Sequence, residues 1–134
     1  MLATQVKFQS RASTAFMDEL KARVDGYFAS RHLSPKANFS MVAKSVILLG
    51  TYFGGYALIM TNWLHPWAML GVAFVMGVAM AGIGFAVSHD ALHGAYSSDP
   101  RINRVIGYTF DLLGANGYMW KITHNVIHHT YTNI

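Results

Sequence analysis

The chain contains no cysteine. Disulfides, cysteine-ligated zinc, thiolate-bound iron–sulfur clusters and thiolate nucleophiles are therefore excluded. Charge is scarce: 12% of residues are Asp, Glu, Lys or Arg, where an ordinary soluble domain carries about 25%. Not one charged residue lies between Ser45 and Ser88. There is no Glu-x-x-His pair, which argues against a carboxylate-bridged metal bundle. No glycine-rich loop follows a strand, and no Ser-His-Asp or nucleophile-elbow pattern is present. Residues 1–30 lack the pattern of a secretory signal, because Lys7 and Arg11 are followed by acidic and polar residues instead of an apolar run.

The 134 residues leave room for one domain at most, and 53% of them are hydrophobic. All ten Lys and Arg, in a net charge of +4, fall within 1–44 or 101–121. They flank long apolar stretches and lie beside no base-reading groups, so they are topology signals and not a nucleic-acid surface. Residues 41–60 match the roughly 20 residues of a membrane-spanning helix, and 67–88 make a second span. Lys44 sits where its stem can snorkel. Trp63 and Trp67 flank the polar turn from Thr61 to Pro66, at the level expected of interfacial aromatics. Gly50 with Gly54, and Gly77 with Ala81, have the small-xxx-small spacing of close helix contacts. The turn carries no Lys or Arg while both flanks do, which places the N-terminus and everything after Ser88 on the cytoplasmic side.

Outside the spans, Phe16, Leu20, Val24 and Tyr27 or Phe28 recur at helical spacing, predicting an amphipathic helix from about Thr14 to Ser30, capped by Ser13 or Thr14. It lies on a membrane surface or packs on a cytoplasmic domain. Ser34-Pro35 breaks it. A helix from Arg101 to Leu113 is too short to span and reads as interfacial. Gly114 to Gly117 ends it, and a last helix begins near Trp120. The expected architecture is an all-α membrane protein. It has an N-terminal amphipathic segment (1–40), one transmembrane hairpin, and then cytoplasmic or interfacial helices within a domain running from 41 to 134.

Five of the seven histidines lie between His89 and His129. They form two sets, His89-Asp90-Ala91-Leu92-His93 and His124-Asn125-Val126-Ile127-His128-His129. Positions i and i+4 share a helix face about 6 Å apart along the axis. His89 pairs with His93 in this way, and His124 with His128, while His129 takes an adjacent direction. Two such pairs facing one another would hold metal between helices. Neutral imidazole suits iron, zinc, copper or nickel. Asp90, Asn125 and Asp111 are candidates to accept the second ring N–H of such ligands. His32 and His65 have no partner at helical spacing and read as local polar groups. Met69, Met76 and Met80 fit packing positions better than copper ligation.

The strings HDALHGAYSS and WKITHNVIHHTYTNI, with DPRINRVIGYTFDLLG between them, closely resemble the first two histidine boxes of membrane fatty-acid desaturases, in their bacterial and cyanobacterial front-end (delta-6) form. The likeness is strong from about Gly82 to Ile134. It implies that His89, His93, His124, His128 and His129 are ligands of two non-haem iron ions, with Asp90 and Asn125 outside the ligand set. It implies oxygen-dependent removal of two hydrogens from an acyl-lipid or acyl-CoA chain, with O2 as co-substrate and ferredoxin or cytochrome b5 as electron donor. The family's third histidine box and its second membrane hairpin lie further downstream than Ile134. Five donors are too few for two metals, so the 134 residues are expected to be a fragment, inactive alone.

Three rivals share parts of this pattern. A histidine-box hydroxylase has the same ligand logic. A metal transporter needs polar groups along its spans, and 45–88 supplies few. A non-catalytic membrane remnant would keep the histidines as relics.

Overall fold

The computed structural model describes residues 11–131, and every regular element among them is a helix. Two compact units divide between Pro35 and Lys36. The expected polar lead-in falls largely on residues outside the described ones.

The first unit carries helix α1, Arg11–Ser30. Ser13 and Thr14 lie inside it and do not cap its start, because Arg11, Ala12, Ala15 and Met17 are good helix formers that carry the helix further upstream. From Ala15 onward its side chains are exposed apart from the half-buried Phe28. The helix closes on His32, in the left-handed region at φ 53°. His32 N–H donates to Ala29 O (3.2 Å) and Leu33 N–H to Phe28 O (2.9 Å), the Schellman pattern that satisfies the last carbonyls. His32 therefore has a local backbone role.

The second unit begins with α2, Phe39–Met60, whose N-cap Asn38 accepts from Met41 N–H at 3.0 Å. After Asn62, also left-handed at φ 58°, His65 caps the next helix by accepting from Trp67 N–H at 3.4 Å, with Pro66 at the first position. This helix, α3, spans Pro66–Leu92. It is α-helical over Pro66–Ile83, π-helical over Gly84–Ser88 and α-helical again over His89–Leu92. It therefore runs four residues past the expected end at Ser88 and carries the first histidine pair on its own last turn. Both α2 and α3 are long and apolar enough to cross a membrane. Their most apolar stretches are only 6% and 17% buried among the described residues. Val46, Ile47, Phe53, Phe74, Val78 and Phe85 all face outward.

The α2–α3 contact does not use the expected glycines. A Cβ on Gly50, Gly54 or Gly77 would meet nothing within 4 Å. At Gly55 it would lie 2.6 Å from Met76 Cγ, and at Gly82 2.9 Å from Leu48 Cδ2. The bulky side chains opposite decide where a missing Cβ is needed, and spacing alone does not reveal them.

Two further helices complete the unit: α4, Pro100–Leu112, and α5, α-helical over Gly117–Trp120 and π-helical over Lys121–His128. Asp99 caps α4, accepting from Arg101 N–H at 2.8 Å, and Asn116 caps α5, accepting from Met119 N–H at 2.9 Å. The core lies where α2, α3 and α4 meet: Ile83, Val87 and Ala91, spaced four apart on α3, are buried together with Tyr96. Two buried polar links tie it off. Tyr96 O–H donates to Ser45 Oγ (2.9 Å), which donates on to Met41 O (2.8 Å). Ser88 and Thr109 hydroxyls meet at 2.7 Å. The fully buried Ser88 directly precedes His89, so this core fixes the azimuth of the first histidine pair.

Candidate metal centre

The end of α3 is set by Gly94 at φ +71°. Gly94 N–H donates to Ala91 O (2.9 Å) and Ala95 N–H to Asp90 O (2.8 Å). This Schellman closure stops the helix at His93. Gly114, at φ +85°, ends α4 in the same way. The short link that follows turns the chain back, and α5 lies against the end of α3. Two contacts fix it there: Asp111 Oδ1 accepts from Gly117 N–H (3.2 Å), and Asn125 Nδ2 donates to Leu92 O (3.4 Å).

The result brings the two histidine sets together. One nitrogen from each of His89, His93 and His124 lies within 4.8 Å of the other two. Ring centroids are 4.5 Å apart for His89–His93, 5.4 Å for His89–His124 and 5.3 Å for His93–His124. His129 lies 5.2 Å from His93 and 4.8 Å from His124, and His128 lies 5.1 Å from His124.

The second set does not use the plain α-helical geometry. In the π-helical stretch His129 N–H donates to His124 O, an i→i+5 bond. The wider turn lets residues i+4 and i+5 straddle residue i, so His128 and His129 both sit close to His124. His89 is reached through a similar turn, its N–H bonded to Gly84 O. Such π turns concentrate at functional sites.

Of the residues expected to support the imidazoles, Asp90 Oδ1 lies 3.3 Å from His89 Nδ1. Asp111 serves the start of α5 as described. Asn125 reaches from the second set to Leu92 in the first, and its buried Oδ1 has no hydrogen-bond partner among the described residues. A buried acceptor of this kind calls for a donor such as a ring N–H or an ordered water. His65 stands at the opposite end of α3 from the cluster.

Trp120 has a part in the site that sequence reasoning did not give it. Its indole stacks on His124 with centroids 4.3 Å apart and planes 17° apart, and it sits 5.4 Å from His89 and 5.1 Å from His93. Its position four residues before His124 was the available signal.

The surroundings disfavour protonation of two of these rings. The pKa of His93 is lowered by loss of hydration and then by His89, His124 and His129, with Asp90 opposing. That of His124 is lowered by loss of hydration and then by His129, His128 and His89. Both rings are therefore held in the neutral form that ligates metal. Three ring nitrogens converging at the C-terminal, partially negative end of a helix suit a divalent transition metal.

An apolar groove of about 540 Å³ opens onto this cluster. Gly77, Met80, Ala81, Gly84 and Phe85 of α3 form one wall, with Phe110, Leu113 and Trp120 opposite, and His89 and His124 line it as well.

The family model for fatty acid desaturases matches residues 62–134, more than half of the chain and both clustered histidine sets. The chain belongs to the fatty acid desaturase family. Across its whole length it is 40% identical to an sn-1 linoleoyl-lipid 6-desaturase of Synechocystis and 36% identical to one of Arthrospira platensis. It is 35% identical over 86% of its length to an acyl-lipid (8-3)-desaturase of Physcomitrium patens. The chain spans 37%, 36% and 24% of those three relatives. No solved structure matches it.

Proposed function

We propose that this chain is the front part of an oxygen-dependent acyl desaturase that inserts a cis double bond into a membrane-lipid or CoA-linked fatty chain, with delta-6 regiochemistry. The observation that carries the reading is the convergence of His89, His93 and His124 within 4.8 Å at one end of an apolar groove.

In this reading His89, His93, His124, His128 and His129 hold non-haem iron. Two ions are needed in all, with further ligands from elsewhere in the protein. When bound, iron supplies the activation of O2 and the oxidising power that an unactivated C–H bond demands. The chain's own residues do the positioning. The groove along α3 takes the acyl tail out of water and lays it against His89 and His124, so that one carbon pair faces the centre. Phe85, Phe110 and Trp120 give its walls bulk. Asp90 orients His89 by accepting from Nδ1, Asn125 supports the imidazoles from between the two sets, and Asp111 fixes the start of the helix that carries His124.

Two spans with bare apolar faces support embedding in the bilayer. The absence of Lys and Arg from the α2–α3 turn, and their presence on both flanks, supports a cytoplasmic N-terminus and cytoplasmic histidine boxes. Residues 1–40 then form a cytoplasmic segment, and 41–134 the first part of the desaturase domain. Ferredoxin or cytochrome b5 delivers electrons from that side. Identity to lipid 6-desaturases supports the delta-6 assignment.

The test is expression of the full-length gene in a host fed linoleate, with the fatty acids analysed by mass spectrometry. A new double bond at carbon six, lost in His124→Ala together with iron, is the expected result. A hydroxylated product, or desaturation undiminished in His124→Ala, would refute the reading.

A further inference from the structure

The two histidine-bearing helices are tied to a third helix that carries no histidine. On one side α4 meets the last turns of α3. Gly107 is buried, and a Cβ there would lie 3.2 Å from Leu92 Cδ2, so its bare backbone lets α4 close on α3. Thr109 Oγ1 stands 2.7 Å from Ser88 Oγ, and Thr109 O–H donates to Ile106 O at 2.6 Å. A hydroxyl carries one proton. Ser88 is therefore the donor to Thr109, and the chain of hydrogen bonds ends on the backbone of α4. Ser88 has no exposed surface and directly precedes His89.

On its other side α4 meets α5. Asp111, two residues after Thr109, accepts through Oδ1 from Gly117 N–H at 3.2 Å, at the start of α5. Phe110 meets Trp120 edge-on with centroids 6.0 Å apart, and Trp120 is the ring stacked on His124. The direct tie between α3 and α5, Asn125 Nδ2 to Leu92 O, is long at 3.4 Å. Apolar contacts around Ile83 and Val87 are non-directional, whereas a hydroxyl pair at 2.7 Å fixes both distance and angle.

We propose that α4 is the spacer of the metal centre and that Thr109 is a positioning residue. Through Ser88 it sets the rotation of His89 and His93, as Asp111 sets the approach of His124 through Gly117. The inference rests on the metal reading above and adds to it residues that ligate nothing.

The experiment is a cobalt(II) titration of the full-length protein in maltoside micelles. Cobalt(II) stands in for iron(II), and its absorption bands respond to ligand number and geometry. Thermal unfolding of the metal-free samples runs alongside. Thr109→Val is expected to weaken cobalt binding by about tenfold, the lower end of what outer partners of metal ligands contribute, and to change the bands. Thr109→Ser keeps the hydroxyl and restores both. Asp111→Ala weakens binding by a similar factor, and Asp111→Asn, which keeps an acceptor for Gly117 N–H, loses less. Tyr96→Phe removes a buried hydrogen bond on the α2 side of the core and leaves cobalt binding unchanged.

The double variant Ser88→Ala/Thr109→Val separates positioning from stability. Thr109→Val strands a buried hydroxyl, whereas the double variant removes both partners, so its thermal midpoint recovers. Its cobalt affinity and bands stay altered, because the tether is still missing. Affinity that recovers together with the midpoint overturns the proposal, as does a Thr109→Val protein with wild-type affinity and bands. If Thr109→Val does not fold, the double variant decides alone, and wild-type affinity and bands in it overturn the proposal. A wild-type protein that takes up no cobalt sinks the metal reading and this inference with it. Wild-type uptake with indifferent variants sinks this inference alone.

Discussion

Trp120 lies flat on His124, with centroids 4.3 Å and planes 17° apart. Its ring centroid also lies 5.4 Å from that of His89 and 5.1 Å from that of His93. An indole face in this position fixes the ring plane of the central histidine and shields it from water. Stacked pairs contribute about 0.5–1.5 kcal/mol beyond their area. Trp120→Leu is therefore expected to weaken iron retention by about two- to tenfold, and Trp120→Phe by less. Iron per chain after dialysis against graded chelator measures this. Equal retention in wild type and Trp120→Leu would show that the stack is incidental.

The histidines are expected to separate into two functional groups. His93→Ala or His124→Ala is expected to abolish stoichiometric iron binding. His65→Ala removes an N-cap acceptor, costs about 1 kcal/mol of stability, and leaves iron content unchanged. Metal analysis of the three purified variants, with thermal unfolding of the third, decides the matter.

Acidity acts through the same rings. The pKa values of His93 and His124 are lowered in the folded state from 6.5. A base whose folded pKa is depressed takes up its proton more readily when unfolded. The metal-free protein keeps its full stability above about pH 6.5. It loses stability as pH falls through that value towards the lowered ones. Iron uptake should fade over the same interval, since proton and metal compete for one lone pair. Thermal midpoints and iron uptake from pH 8 to 5 test this. A flat profile, or one unchanged in His124→Ala, contradicts it.

The buried pair Tyr96–Ser45 offers a test of how the site is braced. Tyr96→Phe removes a hydrogen bond worth about 1 kcal/mol, while Ser45 Oγ keeps Met41 O as its acceptor. Because Tyr96 also anchors the segment before α2 through its carbonyl, the variant should bind iron normally once folded. A double-mutant cycle with Ser45→Ala, read by thermal unfolding, should give a coupling of about 0.5–1.5 kcal/mol.

Much of this arrangement was legible in the amino-acid order. Apolar length gave α2 and α3 to within a few residues, because chain length across an apolar layer is a strong constraint. Ser34-Pro35 and Gly114 marked real breaks, since proline and left-handed glycine act locally. The five clustered histidines could be separated from His32 and His65 by spacing alone. Three features could not be read. Gly55 and Gly82 were passed over for Gly50, Gly54 and Gly77, because the choice depends on Met76 and Leu48 across the interface. The start of α1 was placed too late, because serine and threonine signal caps only where the preceding residues resist the helix. The π-helical turns were invisible, since nothing in Lys121–His128 distinguishes an i→i+5 ladder from an i→i+4 one until tertiary contacts choose between them.

Those turns bear on how the sequence is free to vary. A π turn accommodates one more residue than the α turn it replaces. Gain of a single codon between His124 and His128 finds no such slack and would swing everything beyond the insertion by about 100°, carrying His128 and His129 away from His124. A change of side chain at Ile122 or Val126 carries no such penalty. This stretch is therefore open to drift by substitution and closed to growth in length.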